Sequence, residues 1–69
     1  MQRQIVTAYW DVYDRQSGEL LEANRLVKDR TWPAIGEFIV GIPGKPNAIV
    51  RDVNLKGMKG SLPHYAVYV

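Results

Sequence analysis

Residues 5–13, IVTAYWDVY, alternate between two sets of side chains, and the alternation commits the chain to a sheet with two unlike faces. Val6, Ala8, Trp10 and Val12 fall on one side, and Ile5, Thr7, Tyr9, Asp11 and Tyr13 on the other. That is the period of two expected of a strand packed on one face. The polar run DRQSG follows and ends in Gly18, which can take the positive φ of a bulged hairpin turn. ELLEANRLVK, 19–28, then returns as a second strand. If Tyr13 pairs with Leu20, then Leu21, Ala23 and Val27 join Val6, Trp10 and Val12 on the apolar face. The same register sets Asp11 opposite Glu22, which is mildly unfavourable. A slip of one residue would turn the second strand's side chains over, and the first register is preferred because it gives the more apolar face.

The polar connector 28–31 leads into residues 31–43, TWPAIGEFIVGIP, which divide the chain in two. At about 100° per residue, Trp32, Ile35, Phe38, Ile39 and Ile42 make one apolar stripe with Glu37 opposite. Pro33 suits a first helical position, and Gly41 followed by Pro43 suits a stop. These signals predict a helix over 33–41. Two signals oppose it. Gly36 and Gly41 each cost about 1 kcal/mol inside a helix. Ile35, Phe38, Ile39 and Val40 favour strands, and in a strand Phe38, Val40 and Ile42 share a face and IPGKPN becomes a turn.

Beyond the turn-rich PGKPN, AIVRDVNL (48–55) reads as a third strand with Ile49, Val53 and Leu55 on one face. KGMKGSLP (56–63) reads as a flexible loop, and HYAVYV (64–69) as a last strand pinned inside the sheet. The expected fold is α+β, in the order ββαββ. It has a four-stranded, mostly antiparallel sheet with one helix on one face, and an all-β fold is the alternative. Residues 1–69 are expected to make a single small domain. One helix covers one face, so Tyr9, Tyr13 and Tyr68, with Leu20 or Leu26, are left on the other.

Composition narrows the function classes. The chain has no cysteine, which excludes disulfides and thiolate metal sites and fits a reducing compartment. MQRQIVTAYW lacks the apolar core of a signal peptide, and no stretch approaches the ~18 apolar residues of a membrane span. A cytoplasmic location away from membranes is expected. Net charge is only +2. Residues 1–42 contribute −1, whereas residues 43–69 set Lys45, Arg51, Lys56 and Lys59 against Asp52 alone, for +3. The basic character lies in the C-terminal third.

The residues that could carry catalysis are few. His64 is the one histidine, and its neighbour Ser61 lacks an orienting acid. Asp11, Glu19 and Glu22 could share a hairpin face, but strand carboxylates make a poor cage for a hard cation. PGKP and KGMKG lack the spaced glycines and Lys-Ser/Thr of a phosphate loop. The expectation is a non-enzyme without cofactor or metal. It would be a protein-interaction module (adaptor, inhibitor or dimerising accessory protein) acting through Tyr9, Tyr13 and Tyr68, on a protein partner or on itself as a homodimer. The alternative is a nucleic-acid-binding module, with the sheet tyrosines stacking bases and Lys45, Arg51, Lys56 and Lys59 neutralising phosphate.

Overall fold

A computed structural model describes residues 7–28 and 32–69. Ile5 and Val6 of the expected first strand, and residues 29–31 of the expected connector, lie outside the described residues. Six strands form: β1 (Thr7–Tyr13), β2 (Leu20–Lys28), β3 (Phe38–Ile42), β4 (Lys45–Ile49), β5 (Asp52–Lys59) and β6 (Leu62–Tyr68). A four-stranded sheet runs in the order β2-β1-β6-β5, and β3 and β4 make a separate two-stranded sheet. β1 pairs antiparallel with β2, and β5 with β6, but the central pair β1–β6 is parallel.

The first hairpin turns at residues 14–18. Gly18, at φ +79°, donates its N–H to the Asp14 carbonyl at 2.8 Å. Asp14 also accepts the Ser17 hydroxyl at 2.8 Å, a side-chain lock common in such turns. Tyr13 pairs with Leu20, the register the alternation favours. Two register shifts follow, between Trp10 and Val12 and between Val12 and Tyr13, so Glu22 stands opposite Val12 and not Asp11. Leu21 and Val27 pack against the core as expected, whereas Ala23 is exposed.

The expected helix over 33–41 does not exist, and the fold is all-β rather than α+β. Among the described residues there is no helix, so none is long and apolar enough to cross a membrane. Gly36 at φ +94° and Gly41 at φ +77° take left-handed conformations that a right-handed helix cannot contain. β3 turns into β4 through Pro43-Gly44, the glycine at φ +80° in the second central position where a proline-led turn requires it. The apolar stripe therefore splits. Ile39 and Ile42 are buried, while Trp32, Ile35 and Phe38 are exposed.

The hairpin nevertheless takes the helix's place. Parallel strands need a long crossover, most often helical, and here the chain between β1 and β6 lays β3–β4 across one face of the sheet. Ile39, Ile42 and Ala48 pack there with Ala8, Trp10, Val12, Val50, Tyr65, Val67 and Val69 in one hydrophobic cluster. Arg25 ties the layers together. It donates to the Val40 carbonyl at 2.9 Å and pairs with Glu22 at 2.7 Å.

Residues 56–63 are also not a loop. They belong to β5 and β6, joined at Gly60-Ser61 with Lys59 opposite Leu62.

Candidate nucleic-acid interface

The face of the four-stranded sheet turned away from β3–β4 follows from the registers. Residues directly opposite one another in a sheet share a face. Tyr9 is opposite Leu26 on one side and His64 on the other, and Tyr13 is opposite Leu20 and Tyr68. Trp10 and Val12, one residue along, point into the core. The Tyr13 and Tyr68 rings stack, with centroids 5.4 Å apart and 22° between planes. Tyr9 and His64 meet edge to face at 6.4 Å. Leu20 and Leu26, about half exposed, flank the rings on β2.

Two lysines join this face through a defect in the ladder. Lys56 and Lys59 are three apart, and in a regular strand they would point to opposite faces. A register shift between Leu55 and Gly57 inserts one extra residue at Lys56. Such a bulge reverses the alternation downstream, so both ammonium groups reach the tyrosines. Lys56 Nζ lies 5.6 Å from the centre of the Tyr13 ring, and Lys59 Nζ lies 5.7 Å from that of Tyr9.

The two lysines differ in what holds them. Lys56 donates to Asp11 Oδ2 at 2.8 Å and to the Tyr13 hydroxyl at 3.2 Å, and these contacts raise its pKa. Lys59 makes no ion pair among the described residues. Asp11 is buried, at 6% exposure, beneath this face. Burial pushes its carboxyl up, but the Lys56 ammonium, the Asn24 N–H at 2.8 Å and His64 outweigh that and bring it down to about 2. His64 Nε2 is 3.0 Å from Asp11 Oδ1 but out of line for a hydrogen bond, so its contact is one of charge when the ring is protonated. Asn24 reaches Asp11 because its φ of +56° aims its N–H inward, at one of the register shifts in β2.

The four basic residues of the C-terminal third separate into two pairs. Lys56 and Lys59 lie with the tyrosines. Lys45 and Arg51 lie with Arg15 around a cleft at the end of the molecule. Sequence reasoning weighed Asp11 only as a cation ligand and missed its burial under Lys56, which depends on strand order, and it missed Arg15, which looked like one more turn residue. Asp11, Glu19 and Glu22 do not gather, and among the described residues no group of three acidic or histidine side chains is placed to hold a metal ion.

No protein-family model matches this chain, and neither a curated protein nor a solved structure is similar to it.

Proposed function

We propose that this chain binds single-stranded nucleic acid on the tyrosine face, acting by binding rather than by catalysis. The observation that carries the reading is the bulge that sets Lys56 and Lys59 on the same face as Tyr9, Tyr13, Tyr68 and His64. Rings for stacking, with cations beside them for phosphate, are what sequence-tolerant strand binding requires. Magnitudes favour displacement of the lysine by a base. An exposed cation–π contact is worth about 0.5–1 kcal/mol, and a stacked base about 1–3 kcal/mol. Lys59, held among the described residues by its contact with the Tyr9 ring, is then released to a phosphate. Lys56 stays on Asp11 and holds the platform. A reducing, cytoplasmic compartment fits a chain without cysteine.

The test is anisotropy with short labelled oligothymidylate across a salt series. Replacing Lys59 by Glu is expected to flatten the slope of log K against log salt by about 0.7 for the lost phosphate contact. Tyr9→Ala is expected to weaken binding by about 1–3 kcal/mol. No binding of any single strand at low salt would sink the proposal.

A second reading, a protein-interaction surface or homodimer on the same face, is favoured by the exposed Leu20 and Leu26 beside the rings. Apolar association responds little to salt, so sedimentation across the same series separates the two. A salt-insensitive dimer that weakens when Leu20 and Leu26 are both replaced by Ser would favour the second.

A further inference from the structure

Arg15, Gln16, Lys45, Asn47, Arg51 and Val69 help line a cleft of about 280 Å³. These residues come from three separate places: the β1–β2 turn, β4 and the β4–β5 connection. The main chain holds the three together. Arg15 donates its N–H to the Val69 carbonyl at 2.9 Å, and Arg51 donates its own to the Tyr68 carbonyl at 2.7 Å. With both backbones tied down, the two side chains project from rigid positions.

Among the described side chains of the cleft the charge is unbalanced. The Lys45 ammonium already has a carboxylate, Asp14 Oδ1 at 3.0 Å. Asp14 is held below the usual carboxylate range by the Ser17 hydroxyl and by Lys45, so it stays ionised and occupied. The Arg15 and Arg51 guanidinium groups have no carboxylate partner among the described residues. Asp52, next to Arg51 in the chain, faces the other way, opposite Tyr68, and its Oδ1 accepts the Val53 N–H. Two planar forks of donors thus edge a polar cleft that holds the volume of several waters at ~30 Å³ each. Guanidinium pairs of this kind favour planar or tetrahedral oxyanions through bidentate hydrogen bonds.

We propose that this cleft is a phosphate-binding site, with Arg15 and Arg51 as the forked donors, Lys45 as a supporting charge, and the Gln16 and Asn47 amides as neutral donors. Its position suggests whose phosphate it takes. Arg15 follows Tyr13 by two residues and the Arg51 N–H is bound to the Tyr68 carbonyl, so the two arginines lie at the same end of the sheet as the stacked pair, while the rest of the cleft is lined by β4 and Val69 on the core side. A strand lying on the rings would pass its backbone over this end of the sheet. That part of the inference rests on the nucleic-acid reading above, whereas a free phosphate ester would use the same donors without it.

The experiment is an amide chemical-shift titration, first with pyrophosphate and then with oligothymidylate, on the wild type and on an Arg15→Ala/Arg51→Ala variant. Both arginines are exposed, and a far-ultraviolet spectrum with a thermal melt checks that the variant keeps its fold. Pyrophosphate is expected to shift the amides of Gln16, Lys45, Asn47 and Arg51 and to leave Tyr9 and His64 in place. The double variant is expected to weaken pyrophosphate at least tenfold, the scale of one lost charge-assisted bond. The variant should also flatten the oligothymidylate salt slope by about 0.7 per phosphate released. Pyrophosphate shifts in the cleft without oligonucleotide binding would support a site for free phosphate esters and overturn the strand path. Pyrophosphate shifts that are absent, or that survive the double variant, would overturn the site itself, even if oligonucleotide still binds the tyrosines.

Discussion

The Asp11 carboxylate and the Lys56 ammonium meet at 2.8 Å across an intervening strand. Asp11 is on β1 and Lys56 on β5, with β6 between them. The residue of β6 in register with Asp11 is Ala66, which also faces Asn54 of β5. A methyl group at that position leaves room for a four-carbon stem to cross. Lys56, two residues after Asn54, is on this face by alternation, and the bulge that follows brings Lys59 onto it as well. The pair fixes one tyrosine platform from below, because Lys56 also binds the Tyr13 hydroxyl.

Acid should expose what this pair contributes. Asp11 falls from its ordinary 3.8 to about 2 in the folded protein, so in this range the folded state binds fewer protons than the unfolded one. The carboxylate's contribution is present above pH ~4 and is lost as pH drops through the folded value near 2. Its size is on the order of 2 kcal/mol, each pH unit between the ordinary and folded values being worth about 1.4 kcal/mol. In urea melts against pH, Asp11→Asn is expected to be the less stable protein at neutral pH. The wild-type advantage should shrink between pH ~4 and ~2. An advantage that stays constant over that window would show that Asp11 titrates as an ordinary carboxyl.

Ala66→Leu tests the crossing. The larger side chain occupies the path of Lys56, and it should separate the ammonium from Asp11 with neither of the two residues replaced. Breaking a buried charge's partner leaves it poorly compensated, and a loss of about 1–3 kcal/mol is expected. The separation is best measured by coupling: Ala66→Leu and Lys56→Met should be less than additive in the same melts. Full additivity would mean that the stem does not pass Ala66.

Gly41→Ala distinguishes the hairpin from the helix that the local sequence suggests. In a helix, alanine would stabilise by about 1 kcal/mol. At φ +77°, with open space around the site, the substitution meets no atom but strains the backbone by about 1–2 kcal/mol. A lower thermal midpoint is expected, and a higher one would contradict β3.

What the sequence determined by itself is the first hairpin. Its alternation, the polar turn ending at Gly18, the Tyr13–Leu20 register, the buried Trp10 and the outward Tyr9 are all local consequences of a period of two and a short turn. The same periodicity put Tyr9, Tyr13 and Tyr68 on the outward face with Leu20 or Leu26; both leucines lie there, Leu26 brought opposite Tyr9 by the two register shifts in β2. Residues 31–43 were not legible in this way. Their apolar positions satisfy a helical stripe and a hairpin about equally, and the choice falls to which shape fills the crossover over Trp10, Val12 and Val67. The grouping of charges was hidden for a related reason. Lys56 and Lys59 share a face only because of a bulge, and Arg15 meets Arg51 only because β1 and β6 run parallel and end together. A bulge is a defect in how two strands pair, and a strand order a pairing between distant segments; the period of a single strand records neither.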